Sequence, residues 1–378
     1  MLDPVALTRE LVAIRTVNPP GNEQPCAEFI AGLLAPAGFQ VSLQTIGPQR
    51  ATLVARLPGQ SVRPTLCFTG HLDTVLPGET PWSRDPFAGE VVGDRLYGRG
   101  STDMKGGVAA MVWAALELAR EGGTRTTGDL LLILTADEEV GCAGARRLMA
   151  DFATLGNENL DHVGAIVVGE PTANMPCLGH KGALWLEMET RGVAAHGSMP
   201  DRGVNAILKA ARAILALEQY RFPIPPHPLL GSPTLNVGTI VGGQRINIVP
   251  DHAVVGVDLR SIPGLDHDLL LNSIQDHLGS DVTLRIVTST PGIMTDPDHP
   301  WVARVFDIMA TLHGTRPGMG TAPYVTDASI LTPALGSPPT LILGPGEPDL
   351  AHKVDEYCHV SKIRQAARAY LEIARLGC

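Results

Sequence analysis

The chain has 378 residues, 44% of them hydrophobic and 18% charged, with a formal net charge of -10. This is the composition of a globular protein and excludes wholesale disorder; the surplus of acids and the absence of basic clusters argue against nucleic acid or an anionic membrane as a partner. The length exceeds what one compact core usually serves, so two domains are expected.

Met1–Val17 reads as an amphipathic helix, with Asp3 placed as its cap and Pro4 in its first turn. It lacks the charged-then-apolar layout of a signal peptide, which gives a cytoplasmic expectation. No apolar run reaches the length of a membrane span. The cysteines (Cys26, Cys67, Cys142, Cys177, Cys358 and Cys378) include no CxxC pair, so they indicate neither a disulfide framework nor a thiolate zinc site and read as small apolar fillers.

A turn after Asn18 leads to a second helix ending near Gly38, and residues 41–46 and 52–57 read as strands. The run Thr65-Leu66-Cys67-Phe68 reads as a buried strand stopping at Gly70. That puts His71 and Asp73 just past a strand end, where open α/β sheets bind ligands. Two apart in an extended segment, they share one face. Gly93-Asp94 between apolar pairs suggests a small hairpin. Glycines at 98, 100, 106 and 107 then bracket Asp103 in a permissive backbone, ahead of an apolar, alanine-rich helix from Gly106 to Arg120. The continuous apolar strand at 129–135 ends in Asp137, Glu138 and Glu139, and the strand before Glu170 repeats the plan. Three βα-type units thus deliver acids or histidine to one edge of one sheet.

The pattern changes after Pro176. Strand 181–193, helix 203–219, strands 234–242 and 253–260, helix 266–278 and strand 281–288 follow the β-α-β-β-α-β order of a ferredoxin-like unit. Acids precede this unit and His352 follows it, so it is expected as an insertion: residues 1–176 and 291–378 form one α/β domain with a mixed sheet, and 177–290 the inserted one. A helix from Pro300 to His313, a strand in PTLILGPG and a C-terminal helix from about Val360 to Leu376 complete the chain.

His71, Asp103, Glu138, Glu139, Glu170 and His352, with no cysteine among them, suit two zinc-like ions sharing a bridging carboxylate better than one structural zinc. The ordered motifs GHLDTV, LYGRGSTDMKGG, TADEEVG, VGEPT, GVAAHGSMP, VDLRSIPG and GPGEPDLAHKVDEY span essentially the whole chain. In them the sequence resembles the dinuclear zinc amidohydrolase and peptidase family that contains acetylornithine deacetylase, succinyl-diaminopimelate desuccinylase and glutamate carboxypeptidase.

The resemblance implies a zinc-peptidase catalytic domain, an inserted domain that makes a homodimer, and two divalent ions, zinc with cobalt or manganese as substitutes. Asp103 would bridge them, His71 and Glu170 completing one site and Glu139 and His352 the other. It makes Glu138 the general base and implies a cis peptide at Asp103–Met104. Asp73 would hydrogen-bond the far nitrogen of His71. His196, from the partner subunit, would stabilise the oxyanion. Arg260 and Asn247 match positions that hold the substrate carboxylate and support the oxyanion, and the turn at Gly344 and Gly346 would line the pocket with amides. The activity implied is amide hydrolysis of N-acyl amino acids, with carboxypeptidase or dipeptidase action as the alternative. A non-catalytic binding protein on this fold would lack a ligand or the base, and none is missing.

Other readings stay structural. Asp137 reads as a solvated or loop-bonding acid, Arg99 as an ion-pair partner, and the remaining histidines, His180 among them, as surface or loop residues. An arginine at a strand end, such as Arg260, is also a common partner of a buried carboxylate.

Overall fold

Asp3 caps the first helix, Pro4–Ala13, by accepting the Val5 N–H at 3.4 Å. The structure, a computed structural model, describes residues 3–59, 64–122, 128–155 and 162–377. The chain divides into two compact units: Met1–Gly179 with Met294–Ala322 and Thr326–Cys378, and His180–Ile293 with Pro323–Val325.

The first unit is built on a mixed sheet. Its strands run in the order Gln40–Gly47, Arg50–Leu57, Leu130–Thr135, Thr65–His71, Val163–Val168, Thr340–Ile342 and Cys177–His180. The four from Leu130–Thr135 to Thr340–Ile342 are parallel neighbours, and antiparallel pairs flank them. Every residue of Thr65–His71 and Leu130–Thr135 is buried, which is why these runs are mainly apolar and do not alternate. The alanine-rich helix Gly106–Arg120 packs beneath the C-terminal helix Val360–Leu376, in a core with Phe68, Leu11 and Tyr370. Each fully buried large apolar side chain there contributes about 1.5–3 kcal/mol. One detail departs from expectation: the central strand does not stop at Gly70 but pairs through His71, opposite Thr135. His71 is therefore fixed by sheet register.

The second unit has a four-stranded antiparallel sheet ordered Thr234–Gly242, His252–Ser261, Gly182–Arg191, Val282–Thr290. With helices Ala206–Gln219 and His267–Leu278, this is the ferredoxin-like arrangement. Leu184, Leu186 and Met188 alternate inward against those helices, while Trp185, Glu187 and Glu189 point the other way. Asn205 and Asp266 cap the two helices through their side chains.

Among the described residues no helix is long and apolar enough to cross a membrane. Cys26, Cys67, Cys142, Cys177 and Cys358 are free and buried, while Cys378 lies outside the described residues. His180 corrects an expectation. It is fully buried, its Nδ1 2.7 Å from the Lys181 carbonyl, because the apolar strand Cys177–His180 carries it inward.

Candidate active site

Parallel strands place their carboxyl ends side by side, and three segments leaving that edge meet here. His71 ends one strand, Glu138 and Glu139 follow Leu130–Thr135, and Glu170 follows Val163–Val168. Glu170 is set by close backbone approach. A Cβ on Gly107 or on Gly344 would lie 2.2 Å from the Gly169 carbonyl oxygen, so only glycine fits on either side of that corner. Asp103 comes from a wide turn, Ser101–Lys105, whose Asp103–Met104 bond is cis.

Asp103 is central. Its Oδ1 lies 3.1 Å from His71 Nε2 and its Oδ2 3.3 Å from His352 Nε2, so the two oxygens face different histidines. His71 Nε2 is 3.7 Å from Glu170, and His352 Nε2 is 3.0 Å from Glu139. Oxygens of Glu138 and Glu170 and a nitrogen of His71 lie within 4.8 Å of one another, as do the corresponding atoms of His71, Asp103 and Glu139. His352 has φ +62° and Asp137 φ +70°, left-handed backbone that costs a side-chain-bearing residue on the order of 1 kcal/mol and persists where contacts enforce it.

The electrostatics follow from crowding acids out of water. Burial and then the Glu170 charge push Glu138 well above the carboxylate range; burial and then Asp103 do the same to Glu170. Burial raises Asp103, yet the two histidines outweigh it and hold Asp103 low. Hydrogen bonds that His352 donates to the Asp103 and Glu139 carboxylates lift its pKa to about 10. Two imidazoles face four carboxylates, and Asp327, raised by burial to about 6, adds to the acid field. An oxygen-and-nitrogen donor set with surplus negative charge fits divalent cations, which would neutralise what protons otherwise must.

Asp73 sits differently from its expected contact. The close partner of His71 Nδ1 is the Asp73 main-chain oxygen at 2.9 Å, with the carboxylate at 3.5 Å. That carboxylate accepts instead the N–H groups of Glu138 at 3.1 Å and Glu139 at 3.2 Å, and the Asn18 amide at 2.8 Å. It thereby aims the acid pair as well as the histidine. Asn18 also reaches Asp137 at 3.0 Å, and Asp137 pairs with Arg50, which pairs with the fully buried Glu23. Asp137 is thus a buried brace for the loop, not a solvated acid. Neither Asn18 nor Glu23 stood out in the sequence.

The Gly344 N–H donates to Thr172 Oγ1 at 3.1 Å, so that amide is engaged within the fold. At Gly346 a Cβ would meet Thr102 O at 2.4 Å, a packing reason for glycine. His196, Asn247 and Arg260 belong to the second unit. His196 is exposed on a two-residue strand paired antiparallel with Ile248–Val249, its Nδ1 2.7 Å from Ser198 Oγ, and the neighbouring Gly197 N–H donates to the Asn247 carbonyl at 2.8 Å. Arg260 is one-third exposed and pairs with Asp258 at 3.1 Å, whose carboxylate also accepts the Trp185 indole at 3.0 Å.

The family model for peptidase family M20/M25/M40 matches residues 67–376. The chain belongs to that family, and with it to the metal-dependent peptidases and amidohydrolases. An acetylornithine deacetylase of Vibrio cholerae is 32% identical over 350 residues, covering 89% of this chain and 87% of the relative. A probable succinyl-diaminopimelate desuccinylase of Staphylococcus epidermidis is 29% identical over 409 residues, covering 98% of each. Among solved structures, an M20 family metallo-carboxypeptidase of Sulfolobus solfataricus superposes with a TM-score of 0.79 at 18% identity, over 100% of this chain and 99% of that one. A dinuclear metal-binding M20 peptidase of Bacillus subtilis gives 0.73 at 15%, over 99% and 96%.

Proposed function

We propose that the chain hydrolyses the amide bond of N-acyl amino acids, in the manner of the deacetylases and desuccinylases it resembles. The observation that carries this reading is the near full-length likeness to relatives named for those deacylations. His71, Asp103 and Glu170 would hold one divalent cation, and Asp103, Glu139 and His352 the other, zinc by the character of the donors with cobalt or manganese as substitutes. Such cations supply Lewis-acid polarisation of a carbonyl and an acidified water.

The remaining steps belong to the chain. Glu138, whose proton affinity is raised by burial, takes a proton from the attacking water as its oxygen bonds to the acyl carbon. It then hands that proton to the nitrogen as the C–N bond breaks, leaving a carboxylate and a free amine. Asp73 holds the backbone of Glu138 in place. His196 and Asn247 stabilise the oxyanion, and Arg260 takes the substrate carboxylate through its planar fork.

A homodimer accounts for His196. Thr234–Gly242 is an edge strand with Ile240 and Val241 exposed, and pairing with a second copy would remove that edge. His196 would then serve the partner's site. The test is metal-loaded protein assayed for amine release from N-acetylornithine, N-succinyl-diaminopimelate, other N-acyl amino acids and acidic dipeptides. Turnover of an acyl amino acid, abolished by chelation, is expected. Preference for dipeptides would move the reading to a dipeptidase or carboxypeptidase, and activity that survives exhaustive chelation would overturn it.

A further inference from the structure

The turn that carries Asp103 leaves main-chain donors inside the protein with no helical partner. Asp103 and Met104 are non-helical (φ -122° and -133°), so the hydrogen-bond ladder of the following helix does not reach back over them. Buried N–H groups without acceptors are costly, and something must take them. Glu356 does. It is fully buried, and its Oε1 accepts the Thr102 N–H at 2.8 Å and the Asp103 N–H at 3.1 Å. Its Oε2 accepts the Gly100 N–H at 3.1 Å and the Arg99 guanidinium at 2.5 Å.

All four contacts are donors, which the two carboxylate oxygens accept; an amide of the same shape would turn its own NH₂ toward N–H groups. Glu356 also lies four residues after His352. Its main-chain oxygen accepts the Gly98 N–H at 2.9 Å, and the next residue, Tyr357, accepts Thr102 Oγ1 at 2.6 Å. From Tyr357 to His359 the chain pairs with Arg95–Tyr97. The segments bearing Asp103 and His352 are therefore joined by main-chain pairing and, next to Asp103 itself, by the Glu356 side chain.

We propose that Glu356 is a positioning residue for the central carboxylate: by gripping the main chain on either side of Thr102 it sets the direction of Asp103 and ties it to His352. This rests on the dinuclear reading of the site. It acts through Asp103, so it governs cation affinity and leaves substrate binding alone.

The experiment measures zinc affinity of the metal-free protein by competition with a chromophoric chelator, and amide hydrogen exchange of the segment 98–105, for the wild type and Glu356→Gln. Expected are a 10- to 100-fold loss of affinity, typical where a residue orienting a metal ligand is replaced, and faster exchange in 98–105 while the helix 106–120 stays protected. A loaded enzyme should lose kcat with KM unchanged. Wild-type affinity in the Gln variant, or exchange raised equally throughout, overturns the proposal. If that variant does not fold, Glu356→Asp, which keeps the charge and withdraws the carboxylate by one methylene, bears the same test with a smaller loss. Altered affinity in a chain inactive on every amide keeps the clamp and removes the substrate reading; a wild-type chain that binds no zinc removes both.

Discussion

The acid and histidine set of the first unit and the three candidates of the second are held in opposite ways. His71 and Glu170 are buried where parallel strands end, their positions fixed by sheet register and by glycine contacts. His196 is exposed on a short strand and Asn247 on the loop that faces it, and Arg260 is one-third exposed on an antiparallel strand beside Asp258. A ligand set by register moves only if a strand moves. A side chain on an exposed loop can be exchanged at little cost to the fold. The contrast teaches that the acid and histidine set is tied to the sheet, whereas the three candidates of the second unit can change with little cost to the fold.

The comparison breaks most sharply at Glu138. Glu138→Gln should lower turnover by about 10²- to 10⁴-fold while two metals per chain remain, by elemental analysis. Loss of metal would make it a ligand instead. Next is His196→Ala, for which kcat should fall roughly 10²- to 10³-fold with the melting temperature unchanged, since the residue is exposed. Co-expressed with Glu138→Ala at equal levels, it should recover about a quarter of wild-type activity, because half the dimers are hybrids with one intact site in two. Doubly tagged hybrids no more active than the parents would place His196 in its own chain's chemistry or outside it.

Arg260→Ala tests which partner matters. If the guanidinium holds substrate, KM should rise roughly ten- to a hundredfold with kcat kept, as for a lost charged hydrogen bond. A lowered melting temperature with unchanged KM would leave it as the partner of Asp258. The smallest effect on catalysis is expected at His180, where burial depresses the pKa from an ordinary 6.5 to about 4. Between those values the unfolded chain binds a proton that the folded one refuses. Stability is then full above about pH 6.5 and falls, by on the order of 3 kcal/mol, as the pH drops towards 4. His180→Leu should flatten that part of the melting-temperature profile; an unaltered slope would mean the loss arises elsewhere.

What the sequence made legible was local. Apolar runs ended by glycine or acids marked the parallel strands, and strand ends marked His71, Glu139 and Glu170, which the structure brings together with Asp103 and His352. The change of pattern after Pro176 marked the second unit. What stayed hidden depends on residues far apart in the chain: Asn18 and Arg50 bracing Asp137, or Glu356 reaching back to Gly100. A carboxylate four places after His352 was a faint sign of the last. Burial of His180 carried none, since a histidine in a short apolar strand looks the same as one in a loop.

One pairing bears on how the protein is made. Val163–Val168 and Thr340–Ile342 are parallel neighbours, yet the whole second unit separates them along the chain. During synthesis the core of that unit, drawn from residues 184–282, can close first. The earlier strands meanwhile wait with an unpaired edge beside Val163–Val168 and an uncovered apolar helix at Gly106–Arg120. Such long-range parallel pairing is slow to form and leaves a nascent chain open to aggregation. His352 is the last of the five proposed ligands to be made, so the set is complete only once synthesis has passed residue 352, and a chain terminated before residue 340 should be recovered in the insoluble fraction.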